Sequence, residues 1–203
     1  MLIGKKTIMT IKKTSLYIKK AINELCAYEV PDQLIALLIL GEDRRFLSHN
    51  GIDFLSIIRA IYLFISARKI QGASTIEQQL VRTITNQREI SVHRKLREMF
   101  FAVYISRIYT KKQIATAYLR CAYFGWRMNG LKEVLARMNI DINNGSIHKF
   151  ANIIARIKYP EPRILSLEKR SKIEKRVDFL MGLYNLKAKS IMIKLVHNIA
   201  SPT

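Results

Sequence analysis

The chain has 203 residues, of which 49% are hydrophobic, and this is enough apolar sequence for one domain with a full core. A disordered chain is therefore excluded. Lysine and arginine number 35 against 15 acidic residues, and the formal net charge of +20 favours partners that carry phosphate. Nucleic acid, anionic lipid and a lipid pyrophosphate all meet that requirement, and charge alone does not choose among them.

The N-terminal segment, residues 1–30, holds six lysines and no acid in its first twenty residues. It lacks an apolar region followed by a cleavage site, so no secretion signal is expected. We interpret it as a basic segment that is either a solvated tail or a contact with an anionic membrane surface. No run of about 18 apolar residues is present, so no spanning helix is predicted. Two cysteines, Cys26 and Cys121, are far apart and are expected to be packed thiols.

Helical periodicity dominates the rest of the chain, and it predicts an all-α domain. One helix is predicted to begin at Pro31-Asp32 and to run to about Leu40, with Glu42 just beyond its end. Asp53 can cap a second helix, whose apolar residues are predicted to face the core. These residues are Phe54, Ile57, Ile58, Ile61 and Ile65.

Three further helix starts carry capping signals. Ser74 with Glu77 and Thr110 with Gln113 form capping-box patterns, and Ser91 can cap a helix between them. On that middle helix one face is predicted to be apolar and another charged. The apolar face is Leu96, Met99, Phe100 and Val103, and the charged face is Arg94 and Glu98.

The segment after residue 165 is basic and helical, with Ile173, Val177 and Leu180 in one register. We expect residues 166–203 to form C-terminal helices packed on the same domain as residues 31–165.

Three polar blocks stand out, at residues 41–53, 72–82 and 94–98. Alone, each has an ordinary structural explanation: a charged helix end, a well-capped helix, and a surface ion pair between side chains four apart. In order, they read GEDRRFLSHNGID, GASTIEQQLVR and RKLRE. Together they resemble the family 51 glycosyltransferases of penicillin-binding proteins and of monofunctional peptidoglycan transglycosylases. The resemblance covers roughly residues 30–165.

This resemblance implies a fold and a reaction. The family's fold is an all-α, lysozyme-like lobe with a smaller membrane-facing jaw. Its members join lipid II, or a growing glycan on undecaprenyl pyrophosphate, into β-1,4 chains by an inverting displacement. Such a reaction needs a base at the attacking hydroxyl and positive charge at the departing pyrophosphate.

The resemblance also assigns roles to residues. It makes Glu42 the general base and Glu98 the second essential glutamate, which positions cations or holds a divalent cation, Mg²⁺ or Mn²⁺, that is not obligatory. It places Arg82, Arg94 and Lys95 at the pyrophosphate. Asp43 is expected to raise the pKa of Glu42 and neighbouring arginines to lower it. The remaining candidate substrate-site residues are Ser74, Thr75, Gln78 and Gln79, with Asp43, Arg45, Phe46, His49 and Asp53 as supports for Glu42.

Four positions depart from the family pattern: Thr83, Arg120, Arg127 and Lys149. They motivate an alternative, a weakened family member that binds lipid pyrophosphate or a cell-wall synthesis partner. Typical members also have an N-terminal membrane anchor, which is not predicted here. A peripheral enzyme of the cytoplasmic membrane, a fragment of an exported enzyme, or an enzyme for another lipid-linked polysaccharide would each explain that difference.

Two other classes of protein share some of these sequence features. A basic helical nucleic-acid binder would explain the charge, but it leaves the three blocks unexplained, so nucleic acid is not an expected partner. A lytic muramidase would use carboxylates on a similar fold, but the cations that match a pyrophosphate argue against it. The expected partners are an undecaprenyl-pyrophosphate-linked glycan, the membrane surface and cell-wall synthesis proteins.

Overall fold

A computed structural model describes residues 2–68, 72–87 and 89–197. It is helical with one small hairpin, which confirms the predicted all-α fold class. A 3₁₀ turn lies at Phe46–Ser48, and the elements in chain order are α1 (Leu2–Leu25), α2 (Asp32–Glu42), α3 (Phe54–Ala67), α4 (Ile76–Thr85), α5 (Val92–Ser106), α6 (Lys111–Cys121), β1 (Tyr123–Gly125), β2 (Met128–Asn129), α7 (Leu131–Met138), α8 (Ile147–Lys158) and α9 (Leu167–His197).

Helix α2 lies at the centre of the fold. Its residues 34–40 are all buried, and it packs against α6, α8 and α9. The predicted start at Pro31-Asp32 is confirmed, while the helix continues through Glu42 instead of ending before it. A helix that is apolar on every side needs neighbours on every side, and this one has them. The carboxylate at its last residue is therefore held by the core of the domain.

Helix α1 is not a solvated tail. Ile18 and Ile22 are fully buried in the core, and the hydroxyl of Tyr109 donates to the Lys19 carbonyl oxygen at 3.1 Å and to Asn23 Oδ1 at 2.8 Å. The run of lysines concealed this amphipathic pattern, because two isoleucines four apart are enough to fix one helical face. The C-terminal half of α1 is thus part of the domain.

Helix α3 was predicted to face the core, and this prediction is wrong. Asp53 caps it as expected, accepting from the Ser56 backbone N–H at 3.1 Å. None of its fourteen residues is buried, and the side chains of Phe54, Ile58, Ile61 and Ile65 are all more than half exposed. No helix in the described ranges is long and apolar enough to cross a membrane.

Helix α5 is also turned differently from the prediction. Ser91 caps it, but Leu96 and Phe100 are exposed, whereas Glu98 is 3% exposed beside buried Phe101. The helix carries two stripes with helical spacing, one through Leu96 and one through Glu98, and the second faces α4 and α6. The prediction placed Glu98 on a charged outer face, because ionised carboxylates are rarely buried without partners.

The hairpin of β1 and β2 was not predicted. Its turn places Arg127 in the left-handed region with φ of 57°, where glycine or asparagine is usual. The chain near Glu161 lies directly against it: a Cβ on Gly125 would come within 2.4 Å of the Glu161 carbonyl oxygen. Only glycine permits that approach.

The segment after residue 165 forms one long helix, α9, within the described residues. Ile173, Val177 and Leu180 are buried as their register predicts, and the helix packs against α2 and α8. This packing brings α9 beside the C-terminal end of α2, where Glu42 lies.

Candidate active site

Glu42 is mostly buried, with 15% of its side chain exposed. Gln79 Nε2 donates to its Oε2 at 3.4 Å, and Arg176 Nη2 lies 3.7 Å from its Oε1. Arg176 also donates to the Gly41 carbonyl oxygen at 2.6 Å. The carboxylate is thus held between one amide and one guanidinium.

Burial raises the pKa of Glu42 above its ordinary value. The charge of Arg176, the hydrogen bond from Gln79 and the charge of Lys158 oppose that rise, and Asp43 adds a smaller upward effect. The sequence left open whether Asp43 or the neighbouring arginines would dominate. The loss of water around the carboxylate has a larger effect on the pKa than either of these charges. The largest effect that lowers the pKa is the charge of Arg176, which lies outside the three motifs.

Asp43 ties the first motif to α4. Its Oδ2 lies 3.0 Å from His49 Nε2 and accepts from the Ile76 backbone N–H at 3.3 Å. His49 is packed edge-on against Phe46 with ring centroids 6.3 Å apart. These contacts make Asp43, Phe46 and His49 a buried support beneath Glu42.

A buried ion pair extends this support. Lys111 Nζ lies 2.5 Å from Glu77 Oε1, donates to the His49 carbonyl oxygen at 2.6 Å, and sits 4.5 Å from the centre of the Phe46 ring. Glu77 is fully buried. The sequence pattern predicts only a capping role for Glu77, but its position one turn before buried Leu80 indicates that it faces the core.

The start of α4 is capped by Thr75 and not by Ser74, so the capping box predicted for Ser74 and Glu77 is wrong. The Thr75 hydroxyl accepts from the Gln78 backbone N–H at 3.3 Å and donates to the Gly51 carbonyl oxygen at 2.8 Å. Either hydroxyl could satisfy the free amides of a first turn, and the contact with Gly51 selects Thr75. Ser74 is thereby free to face α5.

Lys95 joins the second and third motifs. Its Nζ donates to Ser74 Oγ at 2.9 Å and to Gln78 Oε1 at 2.5 Å, and it lies 3.5 Å from Glu98 Oε2. Burial lowers the pKa of Lys95 and the charge of Glu98 opposes that change. The ammonium is therefore partly desolvated and prearranged by three oxygens.

Glu98 forms an ion pair with Arg94 through its other oxygen. The pair is part of the interior, because Glu98 is 3% exposed, so the surface explanation for this block is wrong. Arg82 is exposed on α4, and its charge acts on Lys95. The three predicted pyrophosphate cations thus lie on adjoining faces of α4 and α5.

A divalent cation does not fit beside Glu98, since both carboxylate oxygens already face Arg94 or Lys95. Within the described residues, Asp43, His49 and Asp53 have ligand atoms within 4.8 Å of one another. Their carboxylates are engaged with protein donors, since Asp53 also accepts from Arg45 Nε at 3.2 Å. We describe this group as a hydrogen-bond network.

Glu42 opens onto a cavity of about 450 Å³. Asp53, Ser74 and Thr75 line it, and so does a set of five cations. These cations are Arg44, Arg45, Arg59, Lys158 and Arg176. Three of these cations, Arg59, Lys158 and Arg176, lie outside the three sequence motifs and are not among the predicted site residues. For Arg176 a signal existed, since it directly precedes Val177 on a core-facing helix, where a cation needs a partner.

The four departures from the family pattern have local contacts of their own. The Thr83 hydroxyl donates to the Gln79 carbonyl oxygen at 2.8 Å, and Arg120 lies 4.9 Å from the Tyr28 ring centre. Arg127 stacks 4.5 Å from the Trp126 ring centre, and Lys149 is exposed.

Known proteins resemble this chain over about half to three quarters of its length. The sequence pattern of the family described as Transglycosylase matches residues 9–183. Penicillin-binding protein 1A of Rickettsia typhi is 37% identical over 158 residues, which is 75% of this chain and 20% of that protein. Penicillin-binding protein 1A of Escherichia coli is 39% identical over 105 residues, 51% of this chain and 12% of that protein.

Penicillin-binding protein 4 of Bacillus subtilis is 39% identical over 97 residues, 47% of this chain and 16% of that protein. The chain therefore spans a fifth or less of the length of these three relatives. The family match includes Glu42, Gln79, Lys95, Glu98 and Arg176, and on that match the chain belongs to the transglycosylase family.

Proposed function

We propose that the chain is a peptidoglycan glycosyltransferase that polymerises lipid II into β-1,4 glycan and releases undecaprenyl pyrophosphate. The observation that carries this proposal is one buried carboxylate, Glu42, at a cavity lined by cations, beside a second cation group on α4 and α5. The first arrangement suits proton removal from a sugar hydroxyl. The second suits neutralisation of a departing pyrophosphate.

Glu42 acts as the general base in this proposal. It takes the proton of the acceptor's 4-hydroxyl as that oxygen bonds to the donor's anomeric carbon. The bond from that carbon to the phosphate oxygen breaks with its electron pair, which inverts the anomeric centre. The raised pKa of Glu42 helps, because a base is most effective when its pKa is near the working pH.

Arg82, Arg94 and Lys95 neutralise the leaving pyrophosphate. Glu98 holds Arg94 and Lys95 in place, which supports the positioning role for this second glutamate. The oxygens around Lys95 keep its ammonium ordered before substrate arrives, so less ordering entropy is lost on binding. Ser74 and Gln78 then contribute to the donor site by orienting Lys95 through their hydrogen bonds with its ammonium.

The cavity cations serve a different purpose. Arg44, Arg59 and Lys158 carry no carboxylate partner within 4.0 Å among the described residues. Their field attracts an anionic lipid substrate towards Glu42, and salt should weaken that attraction. The cavity would then act as the entrance through which the anionic substrate reaches Glu42.

Helix α3 supports a proposed location at a membrane surface. Its fourteen residues span about 21 Å, which is shorter than the roughly 30 Å hydrocarbon core, and its apolar side chains are exposed. A short exposed apolar helix on a strongly basic protein suits peripheral binding to an anionic bilayer. We propose α3 as the membrane-facing jaw.

The weakened-member alternative depends on Thr83, Arg120, Arg127 and Lys149. Their contacts are with Gln79 backbone, Tyr28, Trp126 and solvent. None of these contacts removes a group from Glu42, and this supports an active enzyme over a binding module.

A polymerisation assay on the purified chain tests the proposal. Lipid II in detergent is supplied with Mg²⁺ or with a chelator, and glycan length is measured for the native protein, Glu42→Gln, and Glu133→Gln as an exposed control on α7. We expect product from the native protein and the control, and a loss on the order of 10²–10⁴-fold for Glu42→Gln. Lipid II binding without product from the native protein would favour the weakened member.

A further inference from the structure

A short chain of hydrogen bonds leads from the core to Glu42. The hydroxyl of Tyr118 on α6 donates to Gln79 Oε1 at 2.6 Å, and Gln79 Nε2 donates to Glu42 Oε2 at 3.4 Å. Tyr118 is 5% exposed and Gln79 is 8% exposed. Both side chains are therefore shielded from water that could replace these bonds.

A carboxamide has two faces, and only one of them helps a carboxylate. With Oε1 towards Tyr118, the Gln79 amide directs its N–H group at Glu42 and favours the ionised form. Rotated by 180°, it would direct Oε1 at Glu42, which repels a carboxylate and accepts a proton from a carboxylic acid. The hydroxyl of Tyr118 selects between the two orientations if it stays a donor.

Tyr118 does stay protonated over the working pH range. Burial raises its pKa, the nearby charge of Glu42 raises it further, and Arg82 opposes this only slightly. The other charged groups that face Glu42 are Arg176 from α9, Lys158 from α8 and its neighbour Asp43. Those groups set the field, and none of them bonds to the Gln79 amide in the described structure.

We propose that Tyr118 is a positioning residue that fixes the Gln79 carboxamide so that its N–H group faces Glu42 and keeps that carboxylate ionised and aimed at the acceptor. Tyr118 itself touches no substrate. The inference rests on the proposed function for Glu42 as the base, but the hydrogen-bond relay can be tested without turnover.

The first test is a carboxyl ¹³C NMR titration of Glu42 in the native chain and in Tyr118→Phe. We expect the apparent pKa of Glu42 to rise in Tyr118→Phe, because the amide is released to turn its oxygen inward. The matched control is Tyr109→Phe, which also removes a buried tyrosine hydroxyl. That hydroxyl bonds to α1 from the loop between α5 and α6. An equal pKa in all three proteins would overturn the inference.

A double-mutant cycle separates the relay from packing. Gln79→Leu should raise the pKa of Glu42 by itself, and Tyr118→Phe should add nothing further in that background. If Tyr118→Phe does not fold, Gln79→Leu still reports whether the amide supports Glu42. An additional shift from Tyr118→Phe in the Gln79→Leu background would show that Tyr118 acts by another route, and the inference would fail.

The activity readout is the pH profile of polymerisation. At pH values below the pKa of Glu42, Tyr118→Phe should lower kcat about three- to tenfold with KM nearly unchanged. At alkaline pH the rate of this variant should approach the native rate. A uniform loss at every pH would mean that the substitution only loosens the fold. If the native chain makes no product while the NMR shift is present, the proposed function fails and the relay stands.

Discussion

Helices α2 and α3 are consecutive, similar in length and both rich in leucine and isoleucine, yet they occupy opposite environments. Residues 34–40 of α2 are all buried, and α3 has no buried residue. Helix α2 is enclosed by α6, α8 and α9, whereas α3 leaves the domain at Asp53 and projects its side chains outward. A high apolar content therefore indicates that a helix contacts an apolar environment. That environment can be the core of the chain, as for α2, or an external surface, as proposed for α3.

The largest effect should come from α2. Leu38→Ala removes a fully buried side chain between three helices, and we expect unfolding free energy to fall by about 2–5 kcal/mol. Urea denaturation followed by circular dichroism measures it. A loss under about 1 kcal/mol would mean that the site collapses around the gap, and α2 would not be the rigid base for Glu42 described above.

Helix α3 should respond in the opposite way. The double variant Ile61→Ser with Ile65→Ser should leave unfolding free energy within about 1 kcal/mol of the native value, because both side chains are exposed. Its affinity for vesicles of phosphatidylglycerol and phosphatidylcholine should fall roughly 10- to 100-fold. Leu186→Ser on α9, which also replaces an exposed aliphatic side chain, is the control. Equal vesicle affinity in all three proteins would remove α3 from the membrane interface.

The pH profile tests whether α9 supports the end of α2. Glu42 works as a base only when ionised, so activity is present above its pKa and is lost as pH falls through it. Arg176→Met removes the opposing positive charge and should move this acidic limb to higher pH, whereas Arg176→Lys should move it less. Polymerisation rates measured between pH 5 and 9 give the position of this acidic limb. An acidic limb at the same pH in Arg176→Met and in the native chain would contradict the ion pair.

The smallest effect concerns the start of α3. Asp53→Ala removes a helix cap and the partner of Arg45, and it should cost about 1 kcal/mol of unfolding free energy. Asp53→Asn keeps an acceptor for the cap and should cost less. Thermal unfolding of both variants against the native chain provides the measurement, and identical melting temperatures would show that α3 is anchored by other contacts.

Several features were accessible from sequence because a local pattern fixed them. Thr110 with Gln113 forms the predicted capping box, and α2 begins at Asp32 as its apolar run implies. Ile173 lies in the predicted core register. These features depend on neighbours within four residues, which is the distance over which caps and helical faces act.

Features set by distant contacts were missed. Glu98 is buried because its face of α5 packs against α4 and α6, whereas its spacing from Arg94 alone suggested a surface ion pair. Arg176 reaches Glu42 across 134 positions of the chain, beyond the motifs that drew attention to the site. The roles given to the site residues remain predictions, since catalysis depends on substrate geometry.

The large sequence separation between Glu42 and Arg176 affects when the site forms during protein synthesis. A ribosome completes α2 early, but Arg176 and the wall formed by α9 emerge only after most of the domain has been translated. Until α9 docks, Glu42 lacks its guanidinium and the cavity lacks one side. Pairings this far apart in sequence form late, so a nascent chain would present the three motifs before it could use them.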